Sequence, residues 1–324
     1  MSLVAVESNG VATAATPSFR ATADAAGWLR QQRAQLEGLR ISRGAIRLRG
    51  MPFETPEQFA VLRDEIIRTP ANYVEKATPR SAFGANVFSS TDVPPPRTIR
   101  LHNENSYALR FPGVLVFGCL IAAQSGGATT LGDIRRLGAM LSSETRESFA
   151  QRGWCLIRNY WGHLGLSWQQ AFDTDDRQDV EEYAAANDMT LEWIDDRLRT
   201  SQVRSAFLAH PITHEELWFN HLAFWNKWTL ARDVRELLAQ ECGEDLPYET
   251  LYGDGSAVPR SVIDEINHAY DAVTVSEPWR GGDILIIDNL AMAHGREPFE
   301  GSRNIVVGMG NPIDRAACAG GYIL

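Results

Sequence analysis

Apolar positions along the chain follow two spacings, one typical of amphipathic helices and one typical of short buried strands. Helical spacing predicts a helix over residues 23–39 with Thr22 as its N-cap, and another over 56–67 that Thr55 caps and Pro56 opens. A strand at 45–48 separates these two helices. Later strands are predicted at 114–122, 155–160, 284–287 and 304–309, and later helices at 134–152, 230–240 and 259–270.

The most polar part of the chain lies around residues 165–200. Its many Asp and Glu residues, together with the helical spacing of Val180, Tyr183 and Trp193, predict a solvated helical insertion. We favour a structural lid there over a set of catalytic carboxylates. Residues 1–20 are rich in Ala, Val, Ser and Thr and are expected to form a disordered tail, which leaves residues 21–324 as a single domain.

Candidate chemistry begins with His102 and Glu104, which are separated by one residue. The triplet Pro94-Pro95-Pro96 excludes a helix just before them, and residues 98–101 have the character of a strand. On a strand, His102 and Glu104 project from the same face, where one ion could bind both. An HxE pair alone is weak evidence, since an ordinary polar pair on a surface strand has the same pattern.

A second group of candidate residues follows the strand predicted at 284–287. Asp288 and Asn289 come directly after this strand and could orient the segment that leads to His294. Two histidines and one carboxylate leave half of an octahedron open, which suits Fe(II) that must bind a cosubstrate and dioxygen. Arg303 opens the next apolar strand and could hold a carboxylate through its guanidinium.

At this point the chain resembles the taurine dioxygenase and clavaminate synthase-like (TauD/TfdA) family of Fe(II)/2-oxoglutarate-dependent dioxygenases. The resemblance extends from about residue 80 to residue 310. The motifs that carry it are His102-Asn103-Glu104-Asn105-Ser106-Tyr107, Gly126-Gly127-Ala128-Thr129, the run from Trp279 to Asn289, His294-Gly295-Arg296 and Gly301-Ser302-Arg303.

The resemblance implies a fold, a cofactor set and a site. The fold would be a double-stranded β-helix, or jelly roll, with a mainly β core and flanking helices. His102, Glu104 and His294 would bind Fe(II), while Arg303 and Thr129 would bind the distal carboxylate of 2-oxoglutarate, with O2 as the second cosubstrate. Arg296 is a rival for the carboxylate, and Arg303 is favoured because Arg296 lies only two residues past His294.

Glu104 narrows the expected chemistry. Many relatives carry Asp at this position, and Glu occurs in the clavaminate-like and amino-acid hydroxylase branches. The related halogenases have a small residue there, so a glutamate favours hydroxylation over halogenation, with desaturation and epoxidation as alternatives. A non-oxygenase metal enzyme and a non-catalytic sensor of the same fold remain as further alternatives.

The substrate is less well defined by the sequence. Similarity to the amino-acid hydroxylase branch implies an amino acid or an amino-acid-derived intermediate of specialised metabolism, either free or attached to a carrier protein. Candidate substrate contacts are Arg80, Asn105, Tyr107, Asn220 and His221. Packing behind the site is the alternative for Asn105 and Tyr107, and a core position is the alternative for His221.

Composition excludes several classes of partner. The formal net charge of −10 argues against a nucleic-acid partner, because binding phosphates requires a basic surface. Four scattered cysteines without a CxxC pair predict reduced thiols. No apolar run is long enough to span a membrane and no signal peptide is evident, so a cytoplasmic enzyme with a small-molecule substrate is expected. The oligomeric state is left open.

Overall fold

The computed structural model describes residues 5–8, 11–71, 74–77, 81–90, 93–161, 164–243 and 245–318, and the structural statements below concern these residues. The strands are β1 (Ala5–Ser8), β2 (Val11–Ala14), β3 (Ala45–Leu48), β4 (Ala82–Gly84), β5 (Val87–Ser89), β6 (Ile99–His102), β7 (Arg110–Ile121), β8 (Ser125–Gly126), β9 (Leu131–Asp133), β10 (Trp154–Tyr160), β11 (Thr190–Ile194), β12 (Arg197–Arg204), β13 (Phe207–Ala209), β14 (Glu216–Trp218), β15 (Tyr248–Tyr252), β16 (Thr274–Val275), β17 (Ile284–Asp288), β18 (Met292–Arg296), β19 (Phe299–Glu300) and β20 (Asn304–Asp314).

The helices lie between these strands. They are α1 (Thr22–Arg43), α2 (Pro56–Asp64), α3 (Ile134–Met140), α4 (Ser143–Arg152), α5 (Trp168–Phe172), α6 (Arg177–Ala186), α7 (Leu222–Trp225), α8 (Arg232–Cys242) and α9 (Arg260–Val273), with short 3-10 helices at Lys227–Thr229 and Arg315–Cys318. The fold is therefore mixed, with both helices and sheets.

The largest sheet has the strand order β1-β2-β3-β17-β7-β20-β5-β4. Its long central strand β7 pairs antiparallel with both β17 and β20. Because side chains alternate across a strand, Leu115, Phe117 and Cys119 face one side of the sheet. They share an apolar layer with Leu131 of β9 and Met292 of β18. This layer joins the large sheet to a second sheet of order β16-β9-β18-β6, which carries the candidate histidines.

Helices α1 and α2 cover the other face of the large sheet. Leu29 of α1 and Phe59 of α2 are fully buried in a cluster that includes Val116 of β7. Close approach of α2 depends on Gly118, since a Cβ at this position would overlap the Phe59 ring. The absence of one side chain on the strand therefore allows a helix to pack there.

Most of the predicted elements are confirmed, with changed boundaries. The strand at 45–48 is β3, and Thr55 caps α2 by accepting a hydrogen bond from the Gln58 N–H. The first helix begins at Thr22, so Thr22 is not its N-cap, and its hydroxyl donates to the Pro52 carbonyl instead. The helix predicted over 134–152 is two helices, because the chain turns at residues 141–142 and Ser142 caps α4.

One prediction about the outer parts of the chain is wrong, and another holds only in part. Residues 5–8 and 11–14 were expected in a disordered tail, yet β1 and β2 pair with each other and β2 runs parallel to β3. Val11 and Ala14 are buried there, which supplies the stabilisation that a free tail lacks. The insertion is helical only through α5 and α6. Beyond them, β11 and β12 form a hairpin that joins β10 and β15 in a further sheet.

A search of the described helices finds none with the length and apolar character that a membrane span requires.

We predict that Gly118→Ala lowers the free energy of unfolding by about 1–3 kcal/mol, because the added methyl group overpacks the contact between β7 and Phe59. Gly27→Ala in α1 is the matched control, since no atom lies within 4 Å of its added Cβ. That control should raise stability by about 0.5–1 kcal/mol through helix propensity. Denaturant unfolding measures both, and equal shifts in the two variants would contradict the packing argument.

Candidate metal centre and its cavity

Pairing of β6 with β18 brings two distant histidines face to face. His102 at the end of β6 is the direct cross-strand partner of His294 in β18. Their ring centroids lie 4.4 Å apart. His294 lies within β18, where the backbone hydrogen bonds of β9 and β6 hold it on both sides.

Glu104 completes the group from a turn. Strand β6 ends at His102, and the expectation that His102 and Glu104 lie on one strand is wrong. Asn105 adopts a left-handed backbone conformation with φ of 52°, which reverses the chain immediately after Glu104. A Glu104 carboxylate oxygen lies 3.7 Å from His294 Nε2. One ligand atom from each of the three residues lies within 4.8 Å of the others, close enough to bind a single ion.

The ring orientation of His102 is set by its neighbour. His102 Nδ1 lies 2.9 Å from the Arg100 carbonyl oxygen, so this nitrogen carries the proton and donates it. Nε2 then carries the lone pair that binding a metal requires, which is the usual arrangement of a metal-binding histidine with a carbonyl behind it. Phe117 packs against the His294 ring with a centroid distance of 5.4 Å.

Asn289 holds the backbone that carries Glu104. Its side-chain oxygen accepts the Glu104 N–H at 2.8 Å, and its side-chain nitrogen donates to the carbonyl oxygens of Glu104 at 2.9 Å and Pro112 at 2.7 Å. Asn103 donates in return to the Asn289 carbonyl at 2.6 Å. Asn289 is completely buried, so this amide satisfies backbone groups that water cannot reach.

The preceding residue, Asp288, anchors the same segment to helix α1. Its carboxylate is fully buried and forms an ion pair with Arg40. His210 Nε2 lies 3.4 Å from the same carboxylate, while His210 Nδ1 accepts two backbone N–H groups. His210 is thus committed to Asp288. The sequence-based idea that Asp288 and Asn289 orient the ligand segment agrees with these contacts.

The three candidate ligands line a cavity of about 750 Å³ that also contains Thr129 and Arg303. Arg303 donates from Nε to the Gly127 carbonyl at 2.8 Å and from one terminal nitrogen to Ser90 Oγ at 3.2 Å. Burial, together with the nearby Arg296, lowers the pKa of Arg303 to about 10. It remains a cation at neutral pH, and no carboxylate of the described residues pairs with it.

Arg296, in contrast to Arg303, forms its hydrogen bonds with a neighbouring loop. Its guanidinium donates to the carbonyl oxygens of Val93, Pro94 and Arg97 at 2.7–2.8 Å. These three bonds fasten residues 93–97 to the edge of the cavity. Arg303 has fewer internal partners than its rival, and the geometry therefore favours it as the group that binds an anion.

The Thr129 hydroxyl accepts one hydrogen bond and can donate another. Trp279 Nε1 donates to Thr129 Oγ1 at 3.1 Å in a buried position. Because the hydroxyl oxygen already accepts this bond, its own O–H can donate to a carboxylate in the cavity. Trp279 was not singled out from the sequence, although it opens the Trp-Arg-Gly-Gly-Asp motif.

The predicted substrate contacts have different outcomes. Asn105, Tyr107 and His221 line the cavity. Asn220 does not, which corrects the expectation, because its side chain donates to the Ala206 carbonyl and accepts from the Leu222 N–H. Arg80 lies outside the described residues.

Four further residues line the cavity near the substrate candidates and were not assigned to the site from the sequence, namely Arg97, Arg100, Phe224 and Trp225. Phe224 packs on His102 with a centroid distance of 4.7 Å. Burial, followed by the nearby His102 and Arg158, lowers the pKa of His221 well below its usual value, so His221 is neutral. The aromatic run from Trp218 to Trp225 was the only signal for this wall.

Two imidazoles, one carboxylate and a nearby buried guanidinium in one cavity are typical of a non-haem iron oxygenase that uses an anionic cosubstrate. Residues 12–309 match the model of the taurine catabolism dioxygenase TauD, TfdA family. The chain is 37% identical over 273 residues to the dapdiamide synthesis protein DdaC of Enterobacter agglomerans, with coverage of 84% of this chain and 83% of the relative.

Two other comparisons agree. A clavaminate synthase-like protein of Arabidopsis thaliana is 25% identical over 294 residues, which cover 87% of this chain and 86% of the plant protein. The crystal structure of a taurine dioxygenase from Burkholderia xenovorans aligns with a TM-score of 0.55 at 14% identity, over 98% of this chain and 93% of that chain. The chain belongs to the TauD/TfdA family and is an Fe(II)/2-oxoglutarate-dependent dioxygenase.

We predict that Asn289→Ala lowers the free energy of unfolding by about 2–5 kcal/mol, because it leaves buried backbone groups at Glu104 and Pro112 without partners. Asn267→Ala is the control, since that side chain makes one half-buried hydrogen bond to Thr229, and it should cost about 0.5–1 kcal/mol. Urea titrations of the metal-free proteins compare the two. A cost for Asn289→Ala no larger than the control's would refute the clamp.

Proposed function

We propose that this enzyme binds Fe(II) through His102, Glu104 and His294, and that it hydroxylates an unactivated carbon of an amino acid or amino-acid-derived intermediate in specialised metabolism. The observation that carries the proposal is the grouping of the three ligand atoms within 4.8 Å of one another, in the same cavity as Arg303. The substrate class is supported by the 37% identity to a protein of dapdiamide synthesis.

The donor set fits ferrous iron. The His102 tautomer leaves Nε2 for the metal, and a buried carboxylate between two imidazoles is stabilised by a cation. When bound, the iron with 2-oxoglutarate and O2 supplies the oxidising power for attack on carbon. Residues of the chain set the position of each reactant and exclude water.

Arg303 and Thr129 would bind the distal carboxylate of 2-oxoglutarate. Arg303 supplies the charge, and Thr129 supplies a hydroxyl whose oxygen is already occupied by Trp279. Phe117 and Phe224 pack on the two ligand histidines and keep water from their apolar sides. The two facing sheets that hold these residues would form the double-stranded β-helix of the family. We further propose that the chain from β2 onward acts as one catalytic domain.

Glu104→Ala should abolish substrate-dependent succinate formation and weaken Fe(II) binding, because the site loses its only anionic ligand. Anaerobic calorimetry with Fe(II) measures the affinity, and the visible band of the iron–2-oxoglutarate complex reports its assembly. Glu241→Ala removes an exposed carboxylate of α8 and should leave both unchanged. Full iron affinity in Glu104→Ala would overturn the ligand assignment. Product masses from the wild-type enzyme distinguish hydroxylation from desaturation and epoxidation.

Arg303→Gln should weaken 2-oxoglutarate binding about 100-fold, since a buried charge-assisted contact of about 2–5 kcal/mol is lost. Arg296→Gln should change that affinity only a few-fold and instead lower the melting temperature, because it releases residues 93–97. Calorimetric titration of 2-oxoglutarate into the metal-loaded variants separates the two. The opposite ranking would assign the carboxylate to Arg296.

A further inference from the structure

Positively charged side chains outnumber negatively charged ones in the lining of the cavity. Among the described residues, four arginines line it, namely Arg97, Arg100, Arg296 and Arg303, against the single carboxylate of Glu104. The whole chain has a formal net charge of −10, so this concentration of positive charge runs against the composition. A cleft with low-dielectric walls and one sign of charge attracts ligands of the opposite sign.

Binding of Fe(II) and 2-oxoglutarate does not change the excess of positive charge in the cavity. Fe(II) adds two positive charges and 2-oxoglutarate two negative ones, so together they leave the cavity charge as it was. Arg303 would be used by 2-oxoglutarate, and Arg296 is held by three carbonyl groups. Arg97 and Arg100 are then the cations that a third ligand would meet.

These two arginines lie at the solvent-facing part of the cavity. Arg97 is exposed, and its guanidinium has no hydrogen-bond or ion-pair partner within the described part of the chain. Arg100 has a side chain that is 39% exposed and pairs at 3.2 Å with Asp271, which is itself exposed and does not line the cavity. Both can turn toward a bound anion at little cost in lost contacts.

The same cavity is poorly suited to a free ammonium group. Glu104 is assigned to the iron, and the buried acid Glu75 does not line the cavity but contacts Gln202 and Arg158. A buried ammonium without an acidic partner is strongly disfavoured. Aromatic rings could substitute for a carboxylate, but the Trp225 ring is stacked by His221 at 4.3 Å and by Tyr248 at 4.8 Å.

His221 adds a donor to this part of the site. Ser106 Oγ lies 2.5 Å from His221 Nδ1 in a buried contact, and the hydroxyl has no other acceptor among the described residues. With Ser106 donating to Nδ1, the neutral imidazole carries its proton on Nε2. His221 then offers an N–H group, which suits a carbonyl oxygen better than an ammonium.

We propose that the substrate is an anion without a free ammonium group: an amino-acid derivative whose nitrogen is acylated, with its carboxylate bound by Arg97 and Arg100 and its acyl carbonyl facing His221. This inference rests on the proposed function and narrows it, because it excludes a free zwitterionic amino acid.

Three matched probes test the charge preference. N-acetyl-L-leucine, N-acetyl-L-leucinamide and L-leucine share one apolar side chain and differ in carrying a lone negative charge, no charge or a zwitterion. Anaerobic calorimetry on the enzyme loaded with Fe(II) and 2-oxoglutarate should give at least about tenfold tighter binding of N-acetyl-L-leucine than of either other probe. The preference should weaken as salt concentration rises.

Variants locate the preference. Arg97→Gln and Arg100→Gln should each weaken N-acetyl-L-leucine binding about three- to tenfold, and leave the carboxamide probe unchanged. Arg136→Gln, an exposed arginine of α3 outside the cavity lining, is the matched charge control and should have no effect. Melting curves confirm that each variant folds.

Equal affinity for the three probes, tighter binding of L-leucine, or no measurable binding of N-acetyl-L-leucine would overturn the proposal. So would equal losses in Arg97→Gln and Arg136→Gln. Failure of the proposed function is seen separately, as the absence of the iron–2-oxoglutarate band before any probe is added. The probe ranking can then still be measured on the metal-free protein.

Discussion

The antiparallel pairing of β6 with β18 is the constraint on which the site depends. It places His102 directly opposite His294, although 191 residues separate them in the chain. Hydrogen bonds between strands fix this register, and a slip of one residue would send one ring to the other face of the sheet. The apolar layer of Leu115, Phe117, Leu131 and Met292 holds the two sheets together and so maintains the pairing.

Near the paired strands β6 and β18, buried polar side chains mainly form hydrogen bonds with backbone groups of the adjoining turns. Asn289 bonds to the peptide groups of Glu104, and Arg296 bonds to three carbonyl oxygens of residues 93–97. Such bonds stabilise turns that lack the repeating hydrogen bonds of a strand or helix. Because Arg296 holds the edge of the cavity, Arg303 has fewer internal partners and its guanidinium can bind an anion.

Much of this could be predicted from local pattern. The proposed ligands, Thr129 and Arg303 lie in motifs of known order, and the apolar run of β17 is unambiguous. Predictions from local sequence pattern were wrong where tertiary contacts determine the secondary structure. Strand β6 stops at His102 and the chain reverses at Asn105, which has a left-handed conformation, while the hairpin of β11 and β12 pairs with the edge of β10. Polar, charged sequence of that kind is equally compatible with a solvated helix.

Arg97 and Arg100, at the solvent-facing part of the cavity, could not be predicted from the sequence for a different reason. Arg97 and Arg100 stand among prolines and β-branched residues, where an arginine is unremarkable, and only folding brings them beside His102. Asn220 shows the reverse error. Its place in an aromatic run indicated a pocket, but the amide donates to the Ala206 carbonyl and accepts the Leu222 N–H.

The ion pair between Arg40 and Asp288 connects the first helix to the candidate metal site. Asp288 ends β17, directly before the asparagine that clamps Glu104, while Arg40 lies near the last turn of α1. Breaking a buried pair leaves one charge stranded, at a cost of about 3–5 kcal/mol. Truncating or replacing the N-terminal segment would therefore disturb the backbone next to Glu104. A chimaera that takes α1 from a relative must also take the residue that replaces Asp288, because Asp288 is the acidic partner of Arg40.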